Sequence, residues 1–521
     1  MLTILVSASV LMGAETGIYE MGPPVAKSGE NLKPHERVDV LVLGRLGELD
    51  IKPANVCSDA VFVRRAFLTV IGTLPTEQEA RGFVVAKQPD KRAQLIEILM
   101  QRPEFTDFWA MKLGDLLRVK AEFPIKLWPN AVQAYHRFIH TSVRENKPLH
   151  VFARQLLVAN GSNFRDGEVN FYRAMQDRSP RGIATTVALT FMGERADKWP
   201  KARLDAMAGF FAQVAYKQTA EWKEEIVYFD PTADKEGFTK KAIYPDGRPA
   251  AIKNGQEDPR VLFTDWLLRP DNPSFCKSWA NRIWSWLMGR GIVHEPDDFQ
   301  PDNPPANPAL LAFLEKEFAA SKCDMRHIFR VILNSQVFQL SSIPVQDTPQ
   351  AVAQFAHYPL RRLEAEVLID ALNQITQTRE EYSSPIPEPF TFIPENVRGI
   401  ALADGSITSS FLELFGRPPR DTGRELERSR DTSPSQRLHM LNSSHVLKKI
   451  QQCPLVSAAS NSEGVEALAD KIYHTVLSRP PSAGELAMLK AHVAASYSGG
   501  SSLAADMVWA LVNGPEFLFN H

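Results

Sequence analysis

Asp297 and Asp298 stand side by side just after His294 and Glu295, the densest group of titratable side chains in a stretch otherwise rich in Trp, Asn and Pro. Two neighbouring carboxylates can divide general acid and general base work, or supply oxygens to a calcium ion. The same residues at a loop entrance also cap helices and brace prolines. Geometry separates these duties. Carboxyls about 5 to 10 Å apart across an open cleft suit glycoside hydrolysis, whereas buried, arginine-paired ones serve the fold.

Between Arg417 and Asp431 five arginines alternate with four acids. Arg420, Arg424 and Arg428 fall at four-residue spacing, so a helix there would align them into one basic edge able to hold a sulfate or phosphate. The near balance of charge argues instead for internal salt bridges. The turn Asp177–Arg181 would add donors if the fold brings it near. His136 and His140, four apart on an expected helix, could present two imidazoles to a metal, but no Glu follows His136 and no third ligand is evident. Capping or surface duty is the competing reading for this pair. Trp279, Ile283 and Trp286 share one helical stripe, with Trp266 and Trp284 nearby, which suits a core better than a sugar platform. The four cysteines, Cys57, Cys276, Cys323 and Cys453, form no Cys-x-x-Cys pair and allow three disulfide connectivities if two bridges form. No nucleophile elbow or phosphate loop occurs, and no cofactor is implied.

The elements that must position these residues are mostly helices. In Arg361–Gln377 apolar residues recur every four positions, and Asn307-Pro308 opens another helix with a cap and a proline in its first turn. The chain also echoes itself. Phe67–Glu79 aligns without gaps to Tyr473–Glu485, each holding a Ser or Thr three residues before a Glu, the capping-box pattern. Downstream, Pro103-Glu104-Phe105 answers Pro515-Glu516-Phe517. Arg326–Phe338 is a fainter third echo. Trp222–Ala250 breaks the helical pattern: Glu225–Asp230 and Lys241–Gly247 read as a β-hairpin or extended excursion. The expected architecture is therefore mainly α, a multi-helix globular protein with related helical modules near both ends and that short excursion between two halves. The organisation reads as a helical domain over 30–220, a linker over 221–258 and a second helical domain over 259–521.

With 44% hydrophobic and 23% charged residues, the 521-residue chain has the composition of a globular protein of more than one domain. A net charge of −2 offers no field to gather a polyanion, which excludes nucleic acid as the natural partner. The apolar run over 1–14 reads as the core of an export signal, and is too short to span a bilayer. No later segment has the length of a transmembrane helix; the signal-like start makes the expected location outside the cytoplasm, secreted or in the cell envelope.

Several motifs together resemble a known family. Arg64-Arg65, Leu74-Pro75-Thr76, Asn281-Arg282-Ile283-Trp284, Gly289–Ile292 and Asp297-Asp298-Phe299 are similar to the planctomycete-type paired domains of unknown function 1549 and 1553. Arg361–Glu366, Gly416–Arg420 and Leu441-Asn442-Ser443 continue the likeness through the C-terminal half. The resemblance implies an envelope or secreted protein, often associated with c-type cytochrome domains. Many relatives carry Cys-x-x-Cys-His shortly after a Phe-x-Gly, the set that covalent haem attachment needs. Phe191-Met192-Gly193 is followed here by Glu194–Trp199, with neither the cysteines nor the histidine.

Three readings follow. The chain is an exported, non-catalytic binding or scaffold protein for an envelope partner or polysaccharide; or a hydrolase of an anionic polysaccharide using Asp297 or Asp298, with the arginines holding substrate; or a haem-free partner of a c-type cytochrome.

Overall fold

The computed structural model describes residues 16–29, 31–252, 257–459, 464–495 and 500–521, so the signal-like run over 1–14 lies outside the described residues. Helices dominate, as the apolar periodicity requires. The centre is helix α1, Asp59–Val70, opened by the Ser58 hydroxyl, which accepts from the Val61 N–H. Every residue from Val61 to Val70 is buried. A helix apolar on all sides belongs inside, yet this one carries two consecutive arginines there.

Both guanidiniums are spent on backbone carbonyls. Arg64 donates to Val476 O at 2.8 Å and Phe517 O at 3.2 Å. Arg65 donates to Phe338 O at 2.6 Å, Leu340 O at 2.7 Å and His521 O at 2.9 Å, and lies 3.9 Å from the centroid of the Tyr358 ring. Burial pulls Arg64 down only to about 10, so it remains a cation at neutral pH.

Helix α2, Pro103–Leu116, meets the end of α1 where Trp109 donates to Val70 O at 2.9 Å, and packs along helix α3, Pro129–Arg144; both α2 and α3 have proline in the first turn. Helix α4, Pro273–Met288, is capped by Asn272 and stopped by Gly289 in the left-handed conformation. Trp279, Trp284 and Trp286 of α4 are all buried, and Trp109 of α2 packs against Trp286 and Phe329. Helix α5, Ala365–Thr376, carries the apolar stripe expected in that region. Among the described residues no helix is long and apolar enough to cross a membrane.

Three short strands form one antiparallel sheet in the order β1 (Gly161–Ser162), β3 (Glu225–Phe229), β2 (Val214–Gln218). The expected strand over Glu225–Asp230 exists, but its hairpin partner lies upstream, with Val214 opposite Phe229. The six-residue link 219–224 closes this pairing locally. Residues 241–247 contribute only an isolated bridge between Ile243 and Pro249. Strands β4 (Arg361–Arg362) and β5 (Phe519–Asn520) join the C-terminus to the middle of the chain.

The two sequence echoes adopt the same local structure. In each, a helix ends on a left-handed residue, Gly72 at φ 63° or Ser478 at φ 64°. A capped turn follows: Thr76 N–H donates to Glu79 at 2.8 Å, and Ser482 N–H to Glu485 at 2.7 Å. The carboxylate pairs also correspond. Arg102 binds both Glu79 (2.6 Å) and Glu104 (3.0 Å), and Arg479 binds both Glu485 (2.8 Å) and Glu516 (2.6 Å). The arginine enters from different places: position 102 aligns with Gly514, and position 479 with Thr73. The modules touch through Arg81 and Asp470, 2.5 Å apart.

Two outcomes are expected. Arg65→Met leaves three carbonyls without a donor and costs about 3 to 5 kcal/mol in urea unfolding. Arg102→Gly costs about 1 to 2 kcal/mol, and adding Thr73→Arg, the arrangement of the second module, restores at least half of it. A double variant no more stable than Arg102→Gly would refute the equivalence.

Candidate functional site

The segment carrying Arg420, Arg424 and Arg428 is not a helix beyond the single turn Glu425–Glu427, so the three side chains do not form one edge. Left-handed residues at Arg420, φ 57°, and Gly423, φ 73°, prevent it. Arg420 is buried and donates to Asp115 Oδ1 at 2.8 Å and Ala403 O at 2.8 Å. Arg428 binds Asp115 and Glu366, each at 2.6 Å. Arg424 points elsewhere, half exposed, onto Asp197 at 3.0 Å.

These contacts belong to a network in which Lys112 and Asp115 of α2 meet Glu364, Glu366, Arg417 and Arg430. Lys112 pairs with Glu364, which also takes Arg430 at 2.9 Å. Burial opposes charge on Glu364, but Lys112, Arg428 and Arg430 outweigh it and hold its carboxyl well below the ordinary 4.5. Asp115 is likewise held down against burial by Arg428, Arg420 and Lys112. The cavity beside Arg428 and Glu425 measures about 20 Å³, room for one water rather than a sulfate or sugar.

Asp297 is 1% exposed, receives Arg195 at 2.8 Å and accepts the Glu425 N–H at 3.2 Å. Asp298 is bound by Lys198 at 3.1 Å, by Arg195 at 3.6 Å and by the Gln300 amide. Thus the structure brings Asp297, Asp298 and Arg424 to one neighbourhood, but each is already partnered by protein. This is the buried, arginine-paired arrangement of a structural carboxylate.

His136 and His140 do share a face of α3, with ring centroids 5.7 Å apart. His140 bonds Asp107 at 3.1 Å, and burial, aided by His140 and Arg420, pushes His136 down to about 4. Among the described residues no group of three or more His, Cys, Asp or Glu is arranged to hold a metal ion. The turn Asp177–Arg181 lies with the small sheet, Arg178 binding Glu225 at 3.1 Å.

Residues 37–215 match PSCyt2, described as a protein of unknown function (DUF1549), and residues 259–493 match PSD1, described as a protein of unknown function (DUF1553). The chain belongs to the family that pairs these two domains. No curated protein and no solved structure matches it.

In this DUF1549–DUF1553 protein, the loop Glu194–Trp199 is given over to ion pairs. Its Arg195 and Lys198 take Asp297 and Asp298, its Asp197 takes Arg424, and its Glu194 takes Arg203, which covers Trp199 at 3.6 Å from the ring centroid. Gly193 just before it is left-handed at φ 65°, and a Cβ there would stand 2.7 Å from Ser278 Oγ. The loop therefore fastens one half of the chain to the other.

Two open features were not evident from sequence. One is a polar cleft of about 420 Å³ between the first module and α5. Its acids have protein partners in or behind the walls: Glu104 has Arg102, Glu380 has His445 at 2.8 Å and Lys449 at 3.3 Å, and Asp370 accepts from the Gly399 and Ile400 N–H groups. The other is aromatic. Trp128, Trp222 at the tip of the β2–β3 hairpin and Phe390 in a distant loop converge with centroids 4.7 to 5.5 Å apart. Trp222 is 58% exposed, Phe390 45% and the neighbouring Phe392 72%. The Lys223 ammonium stands 5.4 Å from the Trp128 ring and 5.5 Å from the Trp222 ring.

The charged network sets the acid response. Glu364 and Asp115 have lower pKa values folded than unfolded, so the unfolded chain binds the extra protons. Their stabilisation is complete above the ordinary carboxylate range and is lost as pH falls below about 4.5. Glu364→Gln should cost about 3 kcal/mol at pH 7 by leaving Lys112 underpaired, and should flatten the fall of urea stability between pH 5 and 3 relative to the parent. Parallel slopes would contradict the assignment.

Proposed function

We propose that this is an exported, non-catalytic binding protein that lays an anionic envelope polysaccharide across the Trp128–Trp222–Phe390 cluster. The observation that supports this best is the convergence of three rings from three separate loops onto one solvent-facing patch, with Phe392 adjoining. Exposed aromatic surface held in place by neighbouring elements, rather than scattered singly, marks a recognition surface. Sugar rings present flat C–H faces that pack against aromatic rings, while their hydroxyls stay in water. Lys223, held over the same rings, supplies the charge that favours a uronate or sulfate ester.

The hydrolase reading has less support. Asp297 is enclosed and neutralised by Arg195, and Asp298 by Lys198 and Arg195, so neither is poised to shuttle a proton.

Affinity electrophoresis through gels containing neutral and anionic polysaccharides tests the proposal. The protein should be retarded by one or more anionic polymers. Trp222→Ala, on an exposed hairpin tip, should weaken that retardation about tenfold, ~1.4 kcal/mol, with an unchanged melting temperature. Lys223→Ala should reduce the preference for anionic over neutral polymer. Free mobility across the panel, or full retention by Trp222→Ala, would count against the reading.

A further inference from the structure

Cys276 lies in the first turn of α4, and Cys323 in the turn that follows helix Pro308–Ala320. They are 47 positions apart in sequence, yet their Sγ atoms approach to 3.7 Å without being bonded. A disulfide requires about 2.05 Å, a closure within reach of side-chain rotation when the thiols already face one another. The other two cysteines are sealed: Cys57 and Cys453 are both 0% exposed.

We propose that Cys276 and Cys323 are an oxidisable pair that forms an intramolecular disulfide in the folded protein when a small-molecule disulfide is present. Of the three connectivities open to four cysteines, the structure supports only this pairing by proximity.

The surroundings divide the work between the sulfurs. Cys276 is half-buried and borders a cavity of about 190 Å³ that also touches Pro270, Phe275 and Lys322, so an external disulfide can reach it. Cys323 lines the same cavity but is the more buried of the two, 6% exposed. The hydrogen bond shared with Cys323 lowers the Cys276 thiol against the effect of burial, while Cys323 itself is raised. Cys276 is therefore the attacking thiolate. Its sulfur bonds to one sulfur of the external disulfide and expels the other as a thiolate, which takes up the proton that Cys276 released. Cys323 then gives up its proton, bonds to Cys276 Sγ and expels the second thiol. Two protein thiols become one disulfide, and one external disulfide becomes two thiols.

The bond would fix a junction rather than a loose end. Lys322 and Cys323 are consecutive non-glycine residues in the left-handed region, at φ 58° and 57°. Such a turn persists only when its surroundings hold it. Its carbonyls receive the next layer: Cys323 O accepts the Leu149 N–H at 3.0 Å, and Lys322 O lies 3.0 Å from His150 Nδ1. A cross-link to α4 would thereby also pin the start of helix Leu149–Leu157, which belongs to the other half of the chain.

The test is thiol counting on the folded full chain after incubation with oxidised glutathione, followed by denaturation, alkylation and intact-mass measurement. Two alkylated thiols instead of four, with a peptide map linking Cys276 to Cys323, are expected, and the oxidised protein should melt several degrees above the reduced one. Cys323→Ser should instead arrest as a glutathione adduct on Cys276, and Cys276→Ser should keep all three remaining thiols. Four free thiols in the parent, a stable glutathione adduct on Cys276 in the parent, or a link to Cys57 or Cys453 would overturn the proposal.

Discussion

The fold depends on arginines that bind carbonyls instead of acids. A helix leaves its last four C=O groups without partners, and a multi-helix protein buries many such ends. Here guanidiniums from elsewhere in the chain meet them. Arg64 reaches the end of helix Val465–Leu477, and Arg361 takes Trp286 O and Leu287 O at the end of α4, each at 2.8 Å. Arg282 takes Thr190 O at 2.8 Å and Leu189 O at 3.1 Å, in the π-turn Ala188–Met192 that continues helix Pro180–Val187. Arg362 holds Phe415 O and Ser429 O. A planar fork with five donors in fixed directions suits this task, because it reaches carbonyls of separate elements on different sides, whereas a lysine offers three donors from one point. The charge stays uncompensated by a carboxylate at these points, so the dipoles of several carbonyls, and aromatic faces such as Tyr358, must carry it.

A second set of arginines works in the opposite way and explains why the most reactive-looking residues make no open site. Around Asp115, Glu364 and Glu366 every carboxylate is shared by at least two cations, and each member is buried or nearly so. A buried ion network adds little net stability over apolar packing, but losing one member strands the others, which makes it a device for specifying one arrangement. The Asp297–Asp298 loop extends the same logic to Arg195, Lys198 and Arg424. Charge density in this chain marks seams between segments distant in sequence. On the proposed reading, the exposed, weakly charged aromatic patch is where a ligand would be met without dismantling the fold.

That inversion sets the limit of what could be read in the sequence. Helical periodicity, the Asn307 and Thr76 caps and the repeated module were legible, because they depend on local spacing. The proximity of Asp297 to the arginine segment was inferred only as a possibility of function, since nothing local says that Arg195 would reach both aspartates from a hundred residues away. The spacing of Arg420, Arg424 and Arg428 makes an edge only if the segment is helical, and the left-handed Arg420 and Gly423 rule that out, leaving the internal salt bridges that the charge balance favours. The hairpin partner was misplaced because Lys241–Gly247 carries stronger turn signals than Val214–Gln218, although the latter is closer. Trp222 and Phe390 gave no pattern: they lie in unrelated loops, and only the tertiary fold makes them neighbours. The same holds for Cys276 and Cys323.

The two repeated modules show how one local design can serve different ends. Each builds a carboxylate pair, Glu79 with Glu104 or Glu485 with Glu516, that needs one cation to be tolerable. In the second module that cation, Arg479, is buried between Tyr19 and Tyr473, each ring centroid 5.4 Å away, and the N-terminal segment covers the pair. In the first, Arg102 comes from the far side of the module and the pair borders the polar cleft. Moving the arginine from the turn to the next helix start keeps the electrostatic requirement met while changing which face is closed. The requirement belongs to the module, and the identity of the residue that meets it belongs to the surroundings. This is why the repeat is recognisable in backbone, caps and carboxylates, and not in the arginine on which both copies rely.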